Sequence, residues 1–493
     1  MPIVVAIDAG TTGVRALAID ERSSVVGLAY RELTQHFPRP GWVEHDLDEI
    51  WAKLSEVLAE LVPTLPEPVA AVGITNQRET VAAWDRRTGR PRHRAIVWQD
   101  RRTADRCTAL AEAGALDVVR RRTGLVLDPY FSGTKYGWLL AEGGVTADAD
   151  LALGTIDSWV LWNLTGGAVH ATEPSNASRT MLFDLEQLRW SGELAELLGV
   201  PLAALPEVLS SSGRFGTTGH GTSALGAGVP ISGVAGDQQA ALFGQACFTP
   251  GMTKNTYGTG SFVLMNVGDR CPPPVDGLLT TVGWTLGSGQ PATYAYEGAI
   301  FVTGAAVQWL RDGLGVIGEA AEIGPLASSV DSTGDVFLVP AFTGLGSPWW
   351  DPWARGTVVG LTRGTGRAEL ARAVVEAMAY QTRDVVELMV RASGQPLAEL
   401  RVDGGASVMD LLLQLQADQL GVPVTRPANT ETTALGAAYL AGLAEGVWDS
   451  LDDVTASWSP EARVSPTPDR AGADTLYGRW LRAVERSRGW AHD

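Results

Sequence analysis

Ile3 to Ile7 is an unbroken apolar run; Gly10-Thr11-Thr12-Gly13 interrupts it, and Val14 to Ile19 and Val25 to Tyr30 resume it beyond two turns. Short apolar runs bounded by Gly, Thr, Asp and Ser predict a β-meander of three strands. The period then changes. Between Asp46 and Val62 the apolar residues are Leu47, Ile50, Trp51, Leu54, Val57, Leu58, Leu61 and Val62, the spacing of one helix face. Asp46 stands where an N-cap belongs, Glu49 at the capping-box position, and Pro63 where a helix stops. Val69 to Ile74 is the next strand. Strands followed by a helix and a further strand predict an α/β lobe.

Met252 to Asn266 repeats this opening, with a Tyr257-Gly258-Thr259-Gly260 turn leading into a strand from Phe262 to Met265. Two hairpins with Gly/Thr turns suggest structural duplication; two unrelated glycine turns are the alternative. The joint falls at the turn-rich Phe248-Thr249-Pro250-Gly251, dividing the chain into residues 1–248 and 249–493. Ser210 to Gly228, rich in Gly, Ser and Thr, predicts a surface excursion.

Charge narrows the partners. The net charge is −18, from 56 acidic and 38 basic residues, so the average surface repels nucleic acid. A small phosphorylated ligand stays compatible, because backbone amides and Mg²⁺ hold phosphates locally. Cys107, Cys247 and Cys271 are widely spaced and form no CxxC pair, which excludes a disulfide framework or zinc site and fits a reducing, cytoplasmic setting. Asp8 breaks the first apolar run and no basic region precedes it, unlike a secretory leader. No apolar run approaches the ~20 residues of a membrane helix, so no membrane insertion is expected.

The strand ends carry the chemistry. Gly236-Asp237-Gln238-Gln239 follows the apolar run Ile231 to Ala235 and precedes a small-residue helix from Ala240. An Asp delivered there can act as a general base toward a hydroxyl, or simply cap the helix. The Gly10 to Gly13 turn offers amides and hydroxyls to phosphate, and Asp8 before it can hold Mg²⁺; an ordinary hairpin tip is the plainer reading. Arg401-Val402-Asp403-Gly404-Gly405-Ala406 leads into a helix predicted over Val408 to Leu420 and lets a flat ligand lie on bare backbone, or is a plain strand-to-helix turn. Arg78 and Glu79, after strand Val69 to Ile74, suit the hydroxyls of a polyol or a structural salt bridge. Trp98 and Tyr130 are candidates to cover its carbon edge.

Long segments in a fixed order resemble the FGGY carbohydrate kinases nearly end to end. They include Pro40 to Asp46, Gly73 to Thr80, Ala95 to Gln99, Asp128 to Lys135, Asn176 to Phe183, Ala235 to Gly244, Lys254 to Gly260, Pro340 to Pro348 and Arg401 to Ala406. The resemblance implies an α/β protein of two actin-like ATPase, ribonuclease-H-like lobes closing over an interdomain cleft. It implies Mg²⁺- and ATP-dependent phosphorylation of glycerol to glycerol 3-phosphate, with ADP as the other product; the Gln77-Arg78-Glu79 and Asp128-Pro129-Tyr130 segments favour glycerol over larger sugars. By position it makes Asp237 the catalytic base. Arg78, Glu79, Trp98, Tyr130, Asp237, Gln238 and Phe262 become the glycerol pocket. Thr11, Thr12, Gly13, Arg15, Thr259, Gly304, Gln308 and Gly405 become the nucleotide contacts, and Asp8 the approach to Mg²⁺.

There are departures. Ala9 replaces a Gln usual in this family's glycerol-specific members, and Met409 replaces an Asn near the adenosine. Gly219-His220-Gly221-Thr222 lacks the Arg-ending pattern that goes with fructose 1,6-bisphosphate inhibition. Kinase activity on erythritol or xylulose is the alternative within the class. A non-catalytic ATP-driven module of the same fold is the alternative outside it, and lacks the Gln77-Arg78-Glu79 signature. Assembly, as a homodimer or homotetramer, is specified by no residue pattern.

Overall fold

A computed structural model describes residues 2–492 of the chain. Two mixed sheets carry the structure. In the first, the meander Ile3–Ala9, Gly13–Asp20 and Val25–Glu32 is antiparallel. Val69–Asn76 joins parallel to Ile3–Ala9, and Pro230–Gly236 parallel to Val69–Asn76. In the second, Thr253–Tyr257 pairs antiparallel with Ser261–Gly268, which pairs with Ala292–Ile300. On its other side Thr253–Tyr257 pairs parallel with Leu400–Asp403, and that strand with Val424–Pro427. The duplication suggested by the two Gly/Thr turns is therefore a duplication of strand order.

Two local expectations need correction. Ser210 to Gly228 is not wholly a surface excursion: Ser212–Thr217 is an edge strand, antiparallel to Pro230–Gly236. The apolar signal was weak because the strand contains two glycines and two hydroxyl residues. The helix Leu47–Leu61 does bury the predicted face, and the Asp46 carboxylate accepts from the amides of Asp48 and Glu49 at 2.9 and 3.2 Å. The return arm of the capping box is absent. Glu49 accepts instead from the Thr34 amide and hydroxyl, at 3.1 and 2.9 Å, because the incoming chain offers closer donors.

Helices Asp237–Gly244 and Thr432–Ala444 follow equivalent strands of the two sheets. They cross between the lobes. Thr432–Ala444 lies on Ile3–Ala9, Val69–Asn76 and Pro230–Gly236 of the first sheet, while Asp237–Gly244 reaches strands of the second. A Cβ on Gly436 would stand 1.8 Å from the Ala240 carbonyl oxygen, and one on Gly244 1.9 Å from that of Thr432. The two backbones touch, which only glycine at the crossing allows. Around them Val4, Ala6, Leu17, Ala240, Ala437 and Leu440 form one buried apolar cluster.

Parallel pairing sets the functional edge. Register places Asp8 beside Thr75, and Ala9 and Gly236 both beside Asn76. The residues that follow these strands therefore emerge together, facing the second sheet. No helix among the described residues is long and apolar enough to cross a membrane.

Candidate active site

Arg78 is the centre of the cleft. Its side chain leaves the end of Val69–Asn76 and lies across Gly236, where a Cβ would meet its Cγ and Cδ at 2.7 Å. Nε stands 3.1 Å from Asp237 Oδ1 and 3.9 Å from Glu79 Oε1. Nη2 donates to Tyr130 Oη and Nη1 to Gln239 Oε1, both at 3.3 Å. The guanidinium carbon lies 5.5 Å from the Phe262 ring centre, in cation–π range. Trp98 packs edge-on to Tyr130 at 5.6 Å, and its indole N–H donates to Thr11 Oγ1 at 2.9 Å. The residues expected to meet a polyol are thus brought together, and Trp98 joins them to the first Gly/Thr turn.

Sequence reasoning missed the partners that hold this centre. Glu297, fully buried in strand Ala292–Ile300 of the second sheet, pairs with both guanidinium ends of Arg78 and accepts from Arg179 Nη2 at 2.9 Å. Arg179 also donates to Glu79 at 2.6 Å. Glu79 has φ of 61°, a left-handed backbone uncommon outside glycine and the strain expected where a side chain is aimed. A signal existed: Glu297 is a lone carboxylate in the strand Ala-Thr-Tyr-Ala-Tyr-Glu-Gly-Ala-Ile, and a buried carboxylate needs a partner. Which partner could not be read locally.

Asp237 opens the helix Asp237–Gly244 and keeps 32% of its side chain open to the cleft. Burial by the surrounding walls raises its carboxyl to about 6; Arg78 pulls against this, and the charges of Glu79 and Asp8 add to it. The group is ionised at neutral pH yet basic enough to take a proton. Gln238 accepts from Lys254 Nζ at 2.5 Å through its side-chain oxygen. Below the site Ser175 Oγ accepts from the Gly236 amide at 2.9 Å, while Ser175 is itself held by buried Glu173.

The remaining predicted residues form two groups. In the first lobe Arg15 Nε donates to Asp8 at 2.7 Å, and Arg15 also pairs with Glu431 from the other half of the chain. Thr12 is exposed at the turn and Gly13 is buried against Tyr30. In the second lobe the carbonyls of Gly258 and Thr259 accept from the amides of Gly304 and Ala305, so Thr259, Gly304 and the exposed Gln308 belong to one corner. Gly304 is required there by backbone contact with Gly258. Beyond Gly405 a Cβ would meet nothing within 4 Å, leaving room for a ligand. Met409 caps the helix Asp410–Leu420, which starts two residues later than expected because Gly405–Val408 forms a tighter 3₁₀ turn. Its side chain packs towards Gly324. Among the described residues no hydrogen bond or ion pair joins the turn at 10–13 to that at 258–260.

A carboxylate at a strand end, the polar and aromatic side chains gathered around it, and a Gly/Thr turn on each of two duplicated sheets are the arrangement expected of a sugar- or polyol-kinase site. The sequence agrees: residues 3–244 match the N-terminal domain, and 253–445 the C-terminal domain, of the FGGY family of carbohydrate kinases, and the chain belongs to that family. It is 55% identical to a glycerol kinase of Bordetella parapertussis, covering 99% of this chain and 97% of that protein. It is 53% identical to glycerol kinase 2 of Thermotoga maritima, over 99% of each. The crystal structure of Plasmodium falciparum glycerol kinase with ADP superposes with a TM-score of 0.93 at 33% identity, covering 99% of this chain and 98% of that one. The two lobes are thus of the actin-like, ribonuclease-H-like type.

Proposed function

We propose that this protein phosphorylates a terminal hydroxyl of glycerol with ATP, giving glycerol 3-phosphate and ADP. The observation that carries the reading is the Arg78–Asp237 pair at 3.1 Å, with Glu79, Tyr130, Gln238, Phe262 and Trp98 gathered around it. Full-length similarity to glycerol kinases supports the substrate.

In this reading Arg78, Glu79 and Gln238 bind the hydroxyls, and Tyr130, Trp98 and Phe262 shape the pocket. Asp237 takes the proton as the hydroxyl oxygen attacks the γ-phosphorus in line. ATP lies against the second lobe, with Thr259, Gly304, Gln308, Gly405 and Met409 around it. Thr11, Thr12, Gly13 and Arg15 meet its phosphates from the first lobe. Arg15 then exchanges a carboxylate partner for phosphate. Asp8 suits Mg²⁺: the ion takes one or two carboxylates and otherwise phosphate oxygens and water, and the described residues offer no larger acidic cluster that would bind it without nucleotide. Asp8 would hold it directly or through water, and the ion would offset charge on the transferring phosphate. Water exclusion by the lobes protects ATP from hydrolysis. We place the division between lobes at 248–251, and the protein in the cytoplasm, in keeping with three free cysteines.

Steady-state ADP production with glycerol, erythritol and xylulose tests the reading. Glycerol should give the highest kcat/KM; a clear preference for either alternative would replace glycerol while leaving the kinase assignment intact.

A further inference from the structure

We infer that Lys254 is a specificity-determining positioning residue: it locks the Gln238 amide so that only N–H faces the cleft, and the acceptor substrate must meet that corner with an oxygen that accepts. This inference rests on the pocket assignment above and adds a residue to it.

A glutamine amide has a donor end and an acceptor end, and free rotation would let it present either. Lys254 removes the choice. An ammonium can only donate, so the atom 2.5 Å from Nζ must be the amide oxygen. Lys254 is fully buried, and its Nζ is further held by Thr256 Oγ1 at 2.9 Å. Burial pulls it down to about 8, with Asp403 opposing, so it stays charged at neutral pH. Gln238 is also buried, and its Nε2 makes no hydrogen bond among the described residues. That nitrogen is the end left for a ligand.

The neighbouring residue is the opposite kind. Asp237 is an acceptor, its Oδ1 taking the backbone N–H of Gln238 at 2.7 Å while part of the carboxylate stays open to the cleft. Consecutive residues therefore offer an acceptor and a fixed donor. A hydroxyl lying between them gives its proton to Asp237 and accepts from Gln238, the polarity that favours loss of that proton. Lys254 lies on Thr253–Tyr257 of the second sheet and Asp237 at the end of a strand of the first, so this polarity is set only when the lobes are assembled.

A double-mutant cycle tests this, with KM and kcat measured for glycerol and for ATP in the full-length enzyme. Lys254→Met and Gln238→Ala should each raise the glycerol KM by about 10-fold, from one lost buried hydrogen bond, with the ATP KM little changed. The double variant should be no worse than Gln238→Ala alone, because Lys254 acts through Gln238. Additive losses would overturn the inference alone. A Gln238→Ala enzyme with unchanged glycerol KM would overturn it together with the pocket assignment. Gln238→Glu keeps the bond to Lys254 but turns an acceptor to the cleft, and serves where Lys254→Met does not fold. It should lose about 10-fold or more in glycerol kcat/KM; wild-type kinetics in that variant would show that the amide is not locked.

Discussion

Replacing Glu297 by Gln removes one negative charge without changing shape, at a residue fully enclosed between the lobes. The carboxylate takes both guanidinium ends of Arg78 and one N–H of Arg179. Arg179 Nη1 already lacks a partner among the described residues, so no spare acceptor takes over. Breaking a buried ion pair from one side costs about 3–5 kcal/mol, because the surviving charge is stranded. That should lower Tm by roughly 3–5 °C in a protein of this size. Arg78, freed, should swing onto Asp237 and Glu79, and glycerol kcat/KM should fall by about 10-fold or more. The pH dependence has a definite sign. Burial alone would raise Glu297, but Arg179 and Arg78 outweigh it and hold its carboxyl below the ordinary 4.5. Its contribution is therefore complete above the unfolded value and lost as pH falls through the lower folded one. Thermal melts should show the largest gap between wild type and Glu297→Gln near neutrality, closing on acidification. A wild-type melting curve with unchanged glycerol kinetics would refute the reasoning.

Asp237→Asn should lose at least ~10²-fold in turnover yet still bind ATP, as equilibrium binding and steady-state rates would show. With its carboxyl raised to about 6, wild-type kcat/KM should fall as pH drops through that value and level off above it. Met409 cannot donate to a purine, so GTP should be used within about 10-fold of ATP, and Met409→Asn should sharpen the preference for ATP. A strong wild-type preference left unchanged in the variant would remove that account. Gly436→Ala drives a methyl against the Ala240 carbonyl and should cost about 1–3 kcal/mol or more in urea unfolding; a neutral result would mean the crossing helices separate easily.

Much of this was legible locally. Apolar runs and their breaks gave the strands, and the Asp46 cap and 3.6-residue spacing gave the first long helix, because these depend on a few adjacent residues. Arg78, Glu79, Asp237 and Gln238 stood out because they follow apolar runs, and parallel strands deliver such residues to one edge. The two Gly/Thr turns disclosed the repeat. The edge strand Ser212–Thr217 was hidden because its pairing, not its own polarity, makes it a strand.

Long-range partners were not legible. Glu297 is separated from Arg78 by 219 positions and Lys254 from Gln238 by 16, and nothing in their local patterns names the other member. The crossing of Asp237–Gly244 with Thr432–Ala444 likewise depends on two glycines meeting from distant segments. The sequence by itself determined which elements form and which reactive groups end them, since propensity and periodicity act over one or two turns of chain. Only the tertiary structure decided how those groups are charged, aimed and balanced, because burial and opposite charge act between atoms that the closing lobes bring together.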